Sequence, residues 1–169
     1  MSKKILILEG GFNEEHEISL LTSSEVKKSL KSLGYYYESL LVKSDTFSKQ
    51  IRNYNNFDIC FNSLHGPFGE DGSIQLILEK NKLEYTHSGP KSSKIAFDKN
   101  LTKLTMIGTE VIFPISEVIN IDQLNEDLFL NFYREYGPFV LKPVSSGSSF
   151  GVRIFNDISD IEKFFINLK

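Results

Sequence analysis

The sequence predicts an α/β fold whose parallel sheet is covered on both faces, and three observations lead to it. Short apolar runs at 5–8, 36–42 and 57–64 alternate with segments of helical character at 13–33, 46–54 and beyond 72. The first run, Ile5-Leu6-Ile7-Leu8, lacks the polar alternation of a half-exposed strand and so reads as buried on both faces. Gly10-Gly11, Gly34 and Gly66-Pro67 punctuate the joints between these segments.

The chain can be justified element by element. After the strand at 5–8, Asn13 is placed to cap a helix whose first turn carries Glu14, Glu15 and Glu17, acids that suit a positive helix N-terminus. Ile18, Leu21, Val26, Leu30 and Leu33 are expected on its buried side, and Gly34 ends it. A strand at 36–42, a short helix near 46–54 and a strand at 57–64 follow. Glu70 and Asp71 lead into a helix with apolar Ile74, Ile77 and Leu78, then a short strand at 83–86. His87-Ser88-Gly89-Pro90 is a turn cluster and the best domain boundary. Beyond it the sequence predicts a helix opening at 96–99 and reaching about 107, and strands at 109–113 and 117–119. A helix capped by Asp122 and running to Tyr136 comes next, then a hairpin from 139 to 155. A last helix at 157–169 has one apolar side, Ile158, Ile161, Phe164, Phe165 and Leu168, for which no cover is expected.

Composition narrows the function. With 169 residues and 40% apolar content the chain can bury one core or two small ones. A net charge of -3, from 19 basic and 22 acidic residues with no basic cluster, argues against nucleic acid. No apolar run approaches the roughly 18 residues of a membrane span, and the N-terminal run is too short for a signal-peptide core, so no membrane partner and a cytoplasmic location are expected. Cys60, in an apolar run, reads as a structural thiol. The three histidines lack zinc-type spacing.

In open parallel sheets ligands bind beyond the carboxyl ends of the strands, which directs attention to the loops 9–17 and 65–72. The first is not a dinucleotide fingerprint: it lacks the third glycine and puts acid where a pyrophosphate would sit. Glu15 or Glu17 could receive a substrate ammonium group, although complementing the helix dipole explains the same acids. His65 at a strand end is a substrate-side candidate or a satisfied structural histidine. Glu70 and Asp71 read as a helix cap, and Lys99 by itself as a solvated lysine. A third loop, 142–151, places Lys142 before Ser145-Ser-Gly-Ser-Ser-Phe-Gly151 between two strands. Small residues there bring backbone N–H groups and hydroxyls close to an anion, so phosphate is the expected guest; a solvated turn is the plainer alternative.

Four separated motifs together resemble the first half of the D-alanine:D-alanine ligase family, within the ATP-grasp superfamily. They are Glu9-Gly-Gly-Phe-Asn-Glu-Glu-His-Glu-Ile-Ser-Leu20, His65-Gly-Pro-Phe-Gly-Glu-Asp-Gly72 with Gln75, Ala96-Phe-Asp-Lys99, and Phe139-Val-Leu-Lys-Pro143 with Gly147-Ser-Ser-Phe-Gly151. The resemblance implies a parallel-sheet, Rossmann-like pre-ATP-grasp domain at 1–92 that binds D-alanine. It also implies a small N-terminal ATP-grasp subdomain at 93–169, incomplete because the second ATP-grasp subdomain is absent. It implies formation of the D-alanyl-D-alanine dipeptide from D-alanine and ATP through an acyl phosphate, for peptidoglycan.

By the same resemblance Glu15 and Ser148 are catalytic, and Glu15, His65 and Ser148 bind substrate. Lys99, Lys142, Gly147, Ser148, Ser149 and Gly151 bind ATP. The magnesium ligands fall outside this chain, homodimer formation is left open for full-length members, and activity of the 169-residue chain alone is not expected. The alternative expectation is a non-catalytic nucleotide- or partner-binding remnant of an interrupted gene. One departure stands out: Phe12 occupies a position where small hydroxyl residues are common in the family.

Overall fold

A computed structural model describes residues 3–43, 46–147 and 149–168. The chain divides into two compact units, 1–105 and 106–169. In the first, strands β1 (Lys4–Gly10), β2 (Tyr36–Val42) and β3 (Ile59–Asn62) form a parallel sheet in the order β2-β1-β3. This is the parallel α/β arrangement expected. The central strand β1 is the most deeply buried, with Leu6, Ile7 and Leu8 fully buried. The apolar run at 83–86 contributes a single parallel bridge from Tyr85 to Cys60 rather than a strand.

Helix α1 (His16–Ser32) joins β1 to β2, α2 (Phe47–Gln50) and a turn of 3₁₀ helix (Ile51–Tyr54) precede β3, and α3 (Ser73–Lys80) follows it. Leu6, Leu8, Leu40, Val42, Phe47, Ile51, Cys60, Leu64, Ile74 and Leu78 form the core on one face of the sheet.

Helix α1 departs from expectation. Its buried residues are Ser19 and Ser23, whereas Ile18, Leu21 and Leu33 are exposed. The cause is Glu9, which is buried at the end of β1 and holds Lys27 at 2.6 Å and the Ser23 hydroxyl, while Ser19 Oγ accepts the Gly10 amide at 2.9 Å. These polar ties turn the serine face of α1 to the sheet. The predicted helix from 96 is two: α4 (Pro90–Phe97) and α5 (Lys99–Thr105), broken at Asp98, whose backbone is extended. α4 includes residues on both sides of the 92/93 division expected from the sequence.

The second unit contains a turn of 3₁₀ helix (Ile121–Gln123), α6 (Glu126–Tyr136), the antiparallel pair β4 (Phe139–Leu141) and β5 (Arg153–Phe155), and α7 (Ile158–Leu168). Asn125, not Asp122, caps α6, accepting the Leu128 amide at 2.9 Å. The strands expected at 109–113 and 117–119 do not form. No described strand pairs with this segment, and an isolated apolar run gains nothing from extension alone. The expectation of an uncovered last helix is also corrected, because Ile161 is fully buried and Phe164 and Phe165 pack with Phe129 of α6 and Phe155 of β5.

Candidate functional site

Two loops leave the carboxyl edge of the parallel sheet, and the chain ties them together. Gly10 and Gly11 end β1, and Asn13 then folds back on itself, its Oδ1 accepting the Glu15 amide at 2.9 Å. The same side chain reaches the other loop. Asn13 Nδ2 donates to the carbonyls of His65 at 2.8 Å and Pro67 at 3.1 Å. Glu15, at the start of α1, is 5% exposed, and its carboxylate lies against the Cα of Gly66, where any side chain would collide with it. Phe12 adds an apolar tie, its ring 5.3 Å from that of Phe68, which in turn meets buried Phe47 edge-on at 5.8 Å.

The 65–72 loop is shaped by its own acids. Glu70 accepts the Gly66 amide at 2.7 Å, and Asp71 accepts the amides of Phe68 at 3.0 Å and Ser73 at 2.9 Å. Both residues thus do more than cap a helix: they close the turn that presents Gly66. Asn62, 3% exposed at the end of β3, holds the loop from below by donating to Gly69 O at 2.9 Å and accepting the Leu64 amide at 3.1 Å. His65 is partly buried with Nε2 2.9 Å from Thr22 Oγ1 on α1. Its backbone and its ring are therefore both fastened to the β1–α1 segment.

The structure thus brings Glu15 and His65 to one edge, within the first unit. Glu14 and Glu17 are exposed, and His16 bonds the Gly11 carbonyl at 2.7 Å. Lys99 is the first residue of α5 and partly buried. Cys60 is fully buried, and burial pushes its thiol up to about 12, which keeps it protonated and fits the structural reading.

In the second unit, β4 and β5 bracket the 142–152 loop as expected. Lys142, Ser145, Ser149, Phe150 and Gly151 are exposed, and Gly147 is partly buried. Turn bonds from Phe150 N to Gly147 O at 3.0 Å and Val152 N to Ser149 O at 3.2 Å fold the loop back on itself. Ser148 lies outside the described residues. Among the described residues no group of three or more His, Cys, Asp or Glu is arranged to hold a metal ion. No described helix is long and apolar enough to cross a membrane.

Sequence reasoning missed Asn62 and the second role of Asn13. The signal was present: Asn62 is an amide ending the apolar run Ile59-Cys60-Phe61, where an amide persists only if its hydrogen bonds are met.

No family model matches the chain. Its sequence is 42% identical over 157 residues to the D-alanine–D-alanine ligase of Pelagibacter ubique, covering 91% of this chain and 50% of that protein. It is 41% identical over 150 residues to the D-alanine–D-alanine ligase of Wolbachia sp. subsp. Brugia malayi, covering 89% and 42%. The chain therefore spans about half the length of the curated relatives it matches. Among solved structures, the D-alanine–D-alanine ligase of Bacillus anthracis superposes with a TM-score of 0.79 at 28% identity, covering 99% of this chain and 54% of that one. The same protein complexed with ATP gives 0.74 at 27% identity, covering 99% and 55%.

Proposed function

The chain belongs to the D-alanine–D-alanine ligase family, and we propose that it carries the D-alanine-binding part of an ATP-dependent ligase together with one wall of its nucleotide site. Residues 1–92 act as the pre-ATP-grasp, D-alanine-binding domain, and 93–169 as the first ATP-grasp subdomain. The reading is carried by one observation: Asn13 ties the Glu15 segment to the His65-Gly66 loop, so a buried carboxylate and an imidazole share the sheet edge where α/β folds bind ligands.

The chemistry assigns each residue a task. The terminal phosphoryl group of ATP passes to the carboxylate of a first D-alanine, breaking a P–O bond to ADP and forming one to the substrate. The amine of a second D-alanine attacks the acyl carbon, forming the C–N bond as the C–O bond breaks and phosphate departs, its proton passing to solvent. Glu15 pairs with the ammonium of the first D-alanine and fixes its orientation, which removes orientational freedom before reaction. His65 faces the same substrate. Lys99, Lys142 and the backbone N–H groups around Gly147, Ser149 and Gly151 receive the ATP phosphates, and Ser148 serves both substrates. Donors placed where charge is transferred lower the barrier electrostatically.

Magnesium would neutralise the phosphates. We assign its ligands to the half of the relatives' length that this chain does not span, and with it a requirement for that half in turnover. The cytoplasm, where ATP is available, is the proposed location.

The test measures D-alanine-dependent phosphate release from ATP with magnesium. We expect none from the 169-residue chain alone and turnover when the chain is fused in frame to the C-terminal half of the Pelagibacter ubique relative. Turnover by the chain alone would refute the requirement for the second half. D-alanine titrated against the isotopically labelled chain should shift the resonances of Glu15 and His65; the absence of any shift would sink the substrate assignment even if the fusion failed to fold.

A further inference from the structure

His87 is held in a conformation that its residue type rarely adopts. Its φ is 134°, against 72° for Phe68, 57° for Lys82 and 60° for Ser149. The latter three lie near the left-handed helical value, whereas 134° is territory left almost entirely to glycine. Such a residue persists where its surroundings hold it.

The holding contact is Asn62. Its Nδ2 donates one hydrogen to Gly69 O at 2.9 Å and the other to His87 Nδ1 at 3.0 Å, while its Oδ1 accepts the Leu64 amide at 3.1 Å. Flipping the amide would set oxygen against the Gly69 carbonyl and N–H against the Leu64 N–H, so the backbone fixes which end faces the histidine. His87 Nδ1 must then be a bare acceptor, and the neutral ring carries its proton on Nε2. Asn62 leaves no acceptor for a second proton on that ring.

We propose that His87 is a positioning residue that fastens the 65–72 loop through Asn62 and loosens it on protonation. Gly69 O, the anchored atom, also receives Gln75 Nε2 at 2.9 Å, and the next residue, Glu70, holds the Gly66 amide against which Glu15 packs. A proton on His87 Nδ1 would oppose the Asn62 N–H and release one corner of this chain of bonds.

The electrostatics agree. The residue as a whole is exposed, but desolvation of the ring edge against Asn62 lowers its proton affinity below the ordinary 6.5. Glu70 raises it and His65 lowers it, and both groups belong to the loop being anchored. The folded chain therefore binds this proton less readily than the unfolded chain. The contribution to stability is complete above the unfolded value of about 6.5 and is lost as pH falls through the depressed folded value.

The inference rests on the ligase reading only for what the loop serves; the anchor stands on the hydrogen bonds. The experiment follows amide exchange, corrected for intrinsic rates, at Leu64, Gly66 and Phe68 of the 169-residue chain between pH 5 and 8. Wild-type protection should drop about tenfold toward pH 5, the equivalent of one neutral hydrogen bond. His87→Gly should lower it at both ends of the range without lowering the melting temperature, because glycine relieves the φ strain. His87→Asn should keep the protection and flatten its pH profile, because an amide oxygen can replace Nδ1 as acceptor without titrating. A His87→Asn profile as steep as the wild type, or His87→Gly protection equal to wild type at pH 8, would overturn the proposal. D-alanine titrated into the same sample separates the two readings: no binding with an intact pH response sinks the ligase reading and leaves the anchor in place.

Discussion

The loops at 65–72 and 142–151 start from the same sequence signal, glycines and small polar residues between an apolar strand and the next element, and end in opposite conditions. In the first, Gly66, Gly69 and Gly72 are all buried, and Asn13, Asn62, Glu70 and Asp71 supply bonds to its backbone. In the second, Lys142, Ser149, Phe150 and Gly151 are exposed. The units behind them differ likewise. The first has a largely aliphatic core under a parallel sheet with a polar edge, whereas the second is built around Phe129, which meets Phe139, Phe155, Phe164 and Phe165 at centroid distances of 5.1 to 5.9 Å. Glycine content thus marks where a loop can bend, and the neighbouring carboxylates and amides decide whether it is fixed.

The widest separation between the units should come from Phe129→Ala. Removing a ring that is 3% exposed and central to the aromatic cluster should cost about 3–5 kcal/mol, enough to unfold the second unit alone. Amide exchange resolved by segment checks this: lost protection in α6 and α7 with β1 and β3 unchanged is expected, and loss in both units together would show that they fold as one. A matched pair of glycine substitutions compares the loops directly. Gly72, at φ 92°, has the Pro90 carbonyl where a Cβ would go, and Gly151, at φ 71°, has the ring of exposed Pro143 there. Backbone cannot move aside as a surface ring can. By urea melts, both should carry the left-handed penalty of roughly 1–2 kcal/mol, and Gly72→Ala should cost about 1 kcal/mol more than Gly151→Ala. Equal costs would mean that the 65–72 loop yields as easily as the other.

The smallest effect is assigned to Phe12→Ser, which introduces the small hydroxyl residue that the resemblance implies at this position. Phe12 is half-exposed, so losing its contact with Phe68 should cost no more than about 1 kcal/mol. D-alanine affinity, read by titration, should change more than the melting temperature does, and the reverse would make Phe12 a plain packing residue.

The edge that holds Glu15 and His65 was legible because the apolar run Ile5-Leu6-Ile7-Leu8 can only be a doubly buried strand, and a parallel strand places its following loop at the ligand edge. The partner of Glu15 was not legible, because nothing local indicates that Gly66, fifty residues away, supplies the surface its carboxylate rests on. The face of α1 was misread for a related reason. Periodicity ranks apolar residues, but buried Glu9 and partly buried Lys27 form a pair that aligns Ser19 and Ser23 with the sheet and leaves Ile18 and Leu21 outside. The apolar segment at 109–119 reads as strand by composition and stays irregular because strand propensity needs a neighbouring strand to act on.

The sequence by itself determined the three strands of the parallel sheet, the glycine turns that follow β1 and β3, and, through motifs spread along its length, the family to which it belongs. Those properties depend on short-range apolar pattern and on residue identity. Only the tertiary structure decided that Asn13 and Asn62 are the hubs of the site, that His87 sits at φ 134° against an amide with no acceptor left for its proton, and that Phe164 and Phe165 find cover in α6. Each of those depends on which atoms meet across long loops, and hydrogen-bond complementarity between distant segments is written in three dimensions rather than in the spacing of residues along the chain.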